Sequence, residues 1–463
     1  MDHAATFIAL NRFGLGARPG EADRVASDPR GWVLDQITHG NPAPIRGVGD
    51  TPGRFHALDA WRRAKSEADK AEAAALAAGA PPPPKPLPPP PGPGKPPASP
   101  LDHPPGKIFD SDLIQRTDQM AQSDTPVLDR LTAFWSNHFA ISGTRDEVLV
   151  LAVPYENEAI RPALFGSFRD MLEATATHPA MTLYLDEASS VGPDSPFGQK
   201  RHKAVNENYA REIMELHTLG VSGGYTQKDV QELALAFTGL GLDAADGEGA
   251  WFFDRHEPGD RLLLGRKLTG TRDQMAQALD ILASHPATIH HVCGKLAVHY
   301  CGDRPPASVQ RHLAQAWRSS HGNLRALYAV LVDSPEAWAP WPLKYRTPQD
   351  FVLASGRAMR LQGHGRDMLQ EMRILGHGPF KAPAPTGWSD ADGDWLDPAG
   401  VTGRVGSAQR LAALAHPDVD APGLLSQVAL FPEATPTLDV VLNEPDQKRA
   451  IALLLASPEF QRR

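Results

Sequence analysis

The sequence predicts a mainly α protein, built as a single large multi-helical domain with a small β-hairpin and a proline-rich insertion. Beyond Phe109, apolar residues recur at steps of three and four, which places them on one face of a helix in segment after segment. The chain has 463 residues, of which 41% are apolar, and this is enough to fill a sizeable core. One strand pair stands out, residues 251–253 with 262–264, across a turn at Pro258-Gly259-Asp260.

Residues 1–79 are predicted to be N-terminal helices that form part of the main domain. The first fifty residues favour short helices at 4–12, 21–26 and 31–37. Residues 56–78 are rich in Ala, Glu, Lys and Arg and contain no Gly or Pro. Because these are strong helix formers, we expect a solvated helix that leads into the next segment.

Residues 80–107 are predicted to be a flexible, proline-rich insertion. Fifteen of the 44 prolines lie between residues 81 and 105, and proline cannot donate a backbone hydrogen bond. An extended polyproline helix on the surface is therefore expected. It would act as a spacer or, alternatively, as a ligand for a partner domain with an aromatic groove.

The main helical body is assigned to residues 108–463. The patterns His178-Pro179-Ala180 and His285-Pro286-Ala287 are interpreted as helix entries, because proline is favourable in the first helical turn. Beyond residue 140, apolar periodicity predicts helices at 148–160, 167–177, 208–219, 227–238, 272–284, 287–299, 309–319, 324–331, 348–361 and 406–415.

Composition excludes several classes of protein. The formal net charge of −9, from 46 basic and 55 acidic side chains, argues against a binder of nucleic acid or anionic membranes. Two cysteines, Cys293 and Cys301, exclude a disulfide framework and a multi-cysteine zinc site. No run of about 18 apolar residues is present, so no membrane span is expected. The first residues show no basic region followed by an apolar stretch, and we therefore expect a cytoplasmic protein.

The segment 206–220 is the first candidate for chemistry. At about 100° per residue, Asn208, Arg211, Glu212 and Glu215 share one arc of the predicted helix, whereas His217 lies on the other side. Paired carboxylates suit a hard divalent cation or a division of acid and base roles. Alternatively, Arg211 pairs with Glu215 and the arc is a structural lock between helices.

The second candidate is the helical stretch 134–139, where aromatic residues flank Asn137 and His138. A pocket with an apolar wall, including Trp135, and a few polar groups often binds a ligand. His138 would then act as a base or a metal ligand. Alternatively, these polar groups satisfy buried backbone atoms beside a core tryptophan. Trp388 lies in a Pro- and Gly-rich loop, where it would plug the core or line a binding surface.

Residues 220–224 spell Gly-x-Ser-x-Gly, the pattern of a hydrolase nucleophile elbow. That elbow requires a strand before the serine, and here a helix precedes it. We therefore interpret the segment as a turn, followed by a helix that Thr226 and Asp229 cap.

Several segments resemble the bacterial family called domain of unknown function 1800. They are Asn11-Arg12-Phe13-Gly14-Leu15-Gly16, residues 134–139, Phe168-Arg169-Asp170, His178-Pro179-Ala180-Met181, residues 206–239, His285-Pro286-Ala287-Thr288, Gly294-Lys295-Leu296, Pro385-Thr386-Gly387-Trp388 and Ser457-Pro458-Glu459-Phe460. The resemblance implies a mostly helical fold and no particular activity. It also implies that relatives are often exported, and often encoded beside proteins similar to sulfatases and phosphatases. This sequence shows no twin-arginine signal, so export would require a signal-bearing partner.

These observations lead to two hypotheses about function. The first is a metal-assisted or acid–base hydrolase whose site lies between the helix of Trp135 and His138 and the helix of Asn208 and Glu215. In it Glu212 and Glu215 act as bases or as ligands of a divalent metal, and Arg211 binds an anionic group. The second is a non-enzymatic binding or maturation partner for a second, sulfatase- or phosphatase-like protein.

Overall fold

Helices make up most of the chain, which confirms the predicted fold class. The structure, a computed structural model, describes residues 3–79, 99–201, 205–341, 344–429 and 435–463. In the first half of the described chain the α-helices are α1 (His3–Ile8), α2 (Glu21–Val25), α3 (Pro29–His39), α4 (Thr51–Ala77), α5 (Pro105–Gln122), α6 (Pro126–His138), α7 (Asp146–Tyr155), α8 (Arg161–Ala163), α9 (Phe168–Thr177), α10 (Pro179–Tyr184), α11 (Pro196–Arg201) and α12 (Glu207–Glu212).

The second half continues in the same way. Its α-helices are α13 (Gln227–Phe237), α14 (Asp273–Ser284), α15 (Pro286–Cys301), α16 (Ala307–Ser320), α17 (Leu324–Asp333), α18 (Pro348–Ala358), α19 (Gly365–Ile374), α20 (Pro398–Ala413), α21 (Ala421–Val428), α22 (Pro436–Asn443) and α23 (Gln447–Ala456). Single 3₁₀ turns lie at Pro100–Asp102, Glu187–Ser189, Phe253–Arg255, Pro335–Trp338 and Asp392–Trp395. No helix among the described residues is both long enough and apolar enough to span a bilayer.

Many helices start at residues that the sequence marks. His178 and His285 each accept a hydrogen bond from the backbone two residues on, and a proline follows, so both His-Pro-Ala patterns are confirmed as helix entries. Thr226 and Asp229 form the predicted reciprocal cap of α13. The preceding helical segment ends at His217, two residues short of the predicted end, and residues 220–224 form a turn that begins at Gly220 with φ +81°.

Three helices continue as π-helical segments, at Ala9–Phe13, Glu156–Ile160 and Ile213–His217. The segment at Glu156–Ile160 begins two residues after Pro154, which lies inside α7 and lacks the N–H of a regular helical bond. The predicted helix at 148–160 is therefore continuous, but its hydrogen-bonding pattern changes from α-helical to π-helical at Glu156. The predicted helix at 208–219 changes in the same way after Glu212.

The small β-structure differs from the prediction in its pairing. β1 (Leu240–Leu242) pairs with β2 (Gly249–Trp251), and β3 (Arg261–Leu263) pairs with β4 (Arg266–Leu268), both antiparallel. The predicted pairing of 251–253 with 262–264 is wrong, because each strand pairs with the nearer neighbour along the chain. Leu264 and Gly265, both with positive φ, close the second hairpin in two residues, which is the tight turn that suits antiparallel strands.

The N-terminal helices pack on the main body, with α4 against α7 and α3 against α17. Within the predicted insertion, residues 80–98 lie outside the described residues. Its last part is regular structure, because Ser99 caps the turn at Pro100–Asp102 and Pro105 starts α5.

A fully buried carboxylate joins four elements at the centre. Glu156 accepts hydrogen bonds from Arg116 of α5 at 2.9 Å, from Ser136 of α6 at 3.0 Å and from Arg161 of α8 at 2.9 and 3.1 Å. Burial raises the pKa of Glu156, but the two guanidinium groups outweigh burial and hold it below its usual range. This network fixes α6, whose last turn faces the cavity described below.

A second buried carboxylate, Glu187, has no basic partner among the described residues. Burial raises its pKa well above the usual range, and the hydroxyl of Ser190 offsets only part of this. A raised folded-state pKa gives stability that is complete below the unfolded pKa and is lost as pH rises through the folded value.

We therefore expect Glu187→Gln to raise the free energy of unfolding at pH 8 by about 1–3 kcal/mol, because the amide removes the cost of ionisation in a buried site. At pH 4 the difference should nearly vanish. Urea unfolding at both pH values measures it, with the exposed Glu67→Gln as the control. Equal stabilities of wild type and variant at pH 8 would contradict the assignment.

Candidate functional site

A cavity of about 520 Å³ lies between α6, α15 and residues 377–390. Its volume is within the roughly 300–1,000 Å³ of small-molecule sites. His290 and Thr386 line it and are exposed, so they mark the opening to solvent. Its principal polar and aromatic lining residues are Asn137 and His138 from α6, His291, Lys295 and His299 from α15, and His377, Trp388 and Asp390 from the loop.

Helix α15 gives the cavity a ridge of basic side chains. His291, Lys295 and His299 are spaced four residues apart, so they lie on one face of the helix and all three line the cavity. The opposite face, with Cys293, Ala297 and Cys301, is buried in the core. The packing of that apolar face holds the basic ridge toward the cavity.

His299 and Asp390 form an oriented pair. The Nδ1 atom of His299 lies 2.9 Å from Oδ2 of Asp390. Burial raises the pKa of Asp390, but His299 and Lys344 together hold it below its usual range, so the carboxylate is ionised and can only accept. Nδ1 of His299 must therefore carry the proton, which leaves the lone pair on Nε2.

The Nε2 atom of His299 is the free end of this pair. It is buried and has no hydrogen-bond partner among the described residues. Burial lowers the pKa of His299, and the attraction of Asp390 offsets only part of the change. At neutral pH the ring is thus a neutral imidazole, oriented by a carboxylate, with an unused lone pair.

Lys295 is the charged residue at the middle of the ridge. Among the described residues, its ammonium group has no hydrogen-bond or ion-pair partner. Burial lowers its pKa to about 8, and the more distant Asp390 offsets part of this change. The arginines of the cavity wall are different, because Arg116 pairs with Glu156 and Arg130 pairs with Asp350.

His138 is the residue of α6 that the sequence singled out, and it does line the cavity. Its Nε2 donates to the backbone oxygen of His217 at 3.0 Å, which leaves Nδ1 as an acceptor without a partner among the described residues. Burial lowers the pKa of His138 well below its usual value, and Lys295 lowers it further. His138 is therefore a neutral polar group of the wall.

Asn137 and Trp388 hold the loop against α6. The side-chain amide of Asn137 donates to the backbone oxygen of Trp388 at 2.8 Å and accepts from its backbone N–H at 2.7 Å. The indole of Trp388 packs against both His377 and Trp395, with ring centroids 4.9 and 6.0 Å away. Trp388 thus both closes the core and lines the cavity.

The absence of a side chain at Gly387 allows the loop to approach the backbone of Asn137 closely. Its φ is +78°, and a Cβ atom placed on it would lie 2.4 Å from the backbone oxygen of Asn137. We expect Gly387→Ala to displace the loop and to lower the free energy of unfolding by more than the about 1–2 kcal/mol of a left-handed alanine alone.

Gly376→Ala is the matched control. Gly376 has a similar φ of +79°, but a Cβ atom placed on it would meet no described atom within 4 Å. The difference in unfolding free energy between the two variants measures the cost of the contact. Trp388 fluorescence should change only in Gly387→Ala. Equal losses of stability in both variants would show that the close approach of Gly387 to Asn137 does not prevent a larger side chain at position 387.

The carboxylates proposed from the sequence do not take part in this cavity. Glu212, Glu215, Arg211 and Asn208 are not among its described lining residues, and all four are exposed or half-buried at the surface. Arg211 lies 3.6 Å from Glu215 and donates to Gln227 of α13 at 2.7 Å, so the alternative interpretation as a lock between helices describes their contacts. Burial and the neighbouring Glu215 raise the pKa of Glu212.

The reason for this separation lies in the helix itself. His217, on the face opposite the carboxylates, packs toward His138, with ring centroids 6.3 Å apart. The carboxylates therefore point away from the cavity that His138 lines. Trp135 also lies outside the lining: it is fully buried, and its indole N–H donates to the hydroxyl of Tyr328 at 2.6 Å.

No cluster of three or more His, Cys, Asp or Glu side chains in the described part of the chain is placed to hold a metal ion. Glu212 and Glu215 accordingly have no third ligand there. Cys293 and Cys301 are buried free thiols of α15, and burial raises their pKa to about 12 and about 11. The metal-assisted form of the hydrolase hypothesis therefore lacks a ligand set among these residues.

A family model described as "Protein of unknown function (DUF1800)" matches residues 8–462. The chain belongs to this family. Comparisons with curated proteins and with solved structures find no match. Membership of the DUF1800 family confirms the resemblance noted in the sequence and brings no activity with it.

Sequence reasoning missed most of the polar cavity residues of this DUF1800 protein. Lys295 belongs to one of the family-like segments, and Asp390 follows Trp388 by two residues, yet neither was proposed as functional. A signal was present: His291, Lys295 and His299 recur at steps of four in an otherwise apolar helix. Such a ridge must either reach solvent or face a polar cavity, because burial of unpaired basic groups is costly.

Proposed function

We propose that this DUF1800 protein is an acid–base hydrolase whose active site is the cavity between α6 and α15. The observation that carries the proposal is the His299–Asp390 pair: His299 lines a cavity that is open to solvent, and the buried Nε2 of its neutral imidazole has no hydrogen-bond partner among the described residues. A histidine oriented by a carboxylate through Nδ1 is the arrangement in which Nε2 accepts a proton most readily.

In the proposed reaction, Nε2 of His299 removes a proton from a water molecule in the cavity. The resulting hydroxide attacks the electrophilic atom of the substrate, and the bond to the leaving group breaks. Asp390 stabilises the imidazolium that forms, and His299 then returns the proton to the leaving group. Hydrolysis needs no co-substrate other than water.

The side chains around the pair support this role. Phe134 and Tyr300 pack against the ring of His299, with centroids 5.2 and 5.0 Å away, and restrict its rotation. Lys344 is almost fully buried and lies 3.8 Å from Asp390, which keeps the carboxylate ionised. An ordered base with a fixed tautomer is what general-base catalysis requires.

A panel of chromogenic substrates tests the proposal: p-nitrophenyl acetate, butyrate, phosphate, sulfate and β-glucoside. We expect the wild-type protein to hydrolyse at least one of them. The variant His299→Gln should then be about 10²–10⁴-fold slower, the usual contribution of a general base.

The matched control is His39→Gln. His39 also pairs with an aspartate, Asp35, through Nδ1 at 2.9 Å, but both residues are exposed on α3 far from the cavity lining. Equal turnover by wild type and His299→Gln would refute the role of the base. No turnover of any panel member would instead favour the second hypothesis, a non-enzymatic binding or maturation partner.

A further inference from the structure

We propose that Lys295 is the anion-binding residue of the cavity and that the ligand is an organic carboxylate with an apolar body. This inference deepens the proposed function, because it names the class of substrate that the same cavity would take. It stands on the charge balance of the cavity, on the apolar wall beside Lys295, and on the spacing between Lys295 and His299.

One of the cations that line the cavity has no paired carboxylate. Among the described lining residues, Arg116 is matched by Glu156 at 2.9 Å and Arg130 by Asp350 at 3.1 Å. Asp390, the remaining carboxylate of the lining, accepts a hydrogen bond from His299 at 2.9 Å and lies 3.8 Å from Lys344, and it forms no ion pair with Lys295. Among the described cations of the lining, the ammonium group of Lys295 is thus the one without an ion-pair partner.

An unpaired cation withdrawn from solvent is costly, and a ligand oxyanion would offset this cost through a charge-assisted hydrogen bond. The imidazoles that face Lys295 do not compete for the anion. His138, His217 and His291 all have lowered pKa values, through burial first and Lys295 next, and are neutral. One unmatched charge suits a carboxylate, whereas a phosphate monoester brings a second charge without a partner.

Part of the remaining wall is apolar. Phe134, Val298 and Phe380 line the cavity together with the indole of Trp388. The volume of about 520 Å³ is far more than a lone carboxylate fills. A ligand that occupies it would bury a hydrocarbon or aromatic body along this wall, and that burial contributes roughly 25 cal/mol per Å².

The spacing connects binding with catalysis. Lys295 and His299 are four residues apart on α15, so their Cβ atoms are about 5–6 Å apart. A substrate held by its carboxylate at Lys295 would place a bond a few atoms along its body beside Nε2 of His299. The same ridge of the helix would thus anchor the substrate and supply the base.

Calorimetric titration with three probes of equal chain length tests the inference: octanoate, octanamide and monooctyl phosphate. At pH 7 we expect octanoate to bind wild-type protein at least about tenfold more tightly than octanamide, and more tightly than the phosphate. Lys295→Met should abolish the difference between octanoate and octanamide, and Lys295→Arg should keep part of it. The control Lys107→Met, an exposed lysine of α5, should match wild type.

The pH dependence adds a second measurement. The groups that face Lys295 are the three neutral imidazoles and the ionised Asp390, none of which changes charge between pH 7 and 9. Octanoate affinity should therefore fall as pH rises through about 8, the pKa of Lys295, whereas octanamide affinity should not change.

Three results would overturn the inference: equal affinity of wild type for octanoate and octanamide, unchanged octanoate affinity in Lys295→Met, or tighter binding of monooctyl phosphate. The measurement does not depend on turnover. His299→Gln should still prefer octanoate, so a failure of the carboxylate site is distinguishable from a failure of the proposed base.

Discussion

Replacement of Glu156 by glutamine should lower the free energy of unfolding by about 3–5 kcal/mol, the usual cost of removing one partner from a buried ion pair. Glu156 is fully buried and accepts hydrogen bonds from Arg116, Ser136 and Arg161. Glutamine is neutral, so the buried guanidinium groups of Arg116 and Arg161 would lose the negative charge that Glu156 supplies. Its amide would also point an N–H toward one of them. Few surface changes have an effect of this size.

Urea unfolding at pH 7 measures the loss, with Glu147→Gln as control. Glu147 lies on α7 and pairs with Arg62 at the surface, where the loss should be about 0–1 kcal/mol. The pKa of Glu156 is lowered in the fold, so its stabilising effect is present above the unfolded pKa and is lost as pH falls through the folded value. Glu156→Gln should not show this fall in stability at acid pH. If Glu156→Gln lowered the free energy of unfolding at pH 7 only as much as Glu147→Gln does, the stabilising role of the network would be contradicted.

Asp390→Asn should lower kcat/KM about 10²–10⁴-fold on whichever panel substrate the wild type hydrolyses fastest. Asparagine can donate its amide hydrogen to Nδ1 of His299, which would move the ring proton to Nε2 and remove the lone pair that acts as base. The matched control is Asp35→Asn, which alters the exposed pair with His39 and should leave turnover unchanged.

The tautomer gives a readout that needs no substrate. In the wild type, ¹⁵N chemical shifts should report a protonated Nδ1 and a bare Nε2 on His299, and in Asp390→Asn the reverse. The lowered pKa of His299 also predicts that activity falls only when pH drops below the usual histidine value of 6.5. Full activity of Asp390→Asn, or an unchanged tautomer, would argue against the oriented pair.

The candidate site was partly predictable. Asn137, His138 and Trp388 were proposed from the sequence, and the structure brings all three to one cavity although 250 residues separate the first from the last. Residues next to aromatic side chains in short polar stretches are typical of pocket walls. Trp135 shared that pattern but is fully buried: its indole packs against the ring of His138 and donates to the hydroxyl of Tyr328, so it does not reach the cavity.

The carboxylates of the α12 segment show where sequence reasoning fails. Arg211 and Glu215 lie within 3.6 Å of one another and Arg211 bonds to Gln227 of α13, but nothing in a single helix indicates which neighbour its polar arc faces. That depends on the packing of His217 beside α6, and on the turn at Gly220 that brings α13 against the charged arc.

The sequence alone determined many local features of this protein: most of its helices, their caps at Thr226, His178 and His285, and the turn that begins at Gly220. Each of these depends on residues within a few positions of one another, so periodicity and backbone chemistry are sufficient. Only the tertiary structure decided which strands pair, that Glu212 and Glu215 lie outside the lining of the cavity, and that His299 contacts Asp390. Those contacts join residues far apart in the chain, and their geometry follows from how apolar helix faces pack together, which no local pattern records.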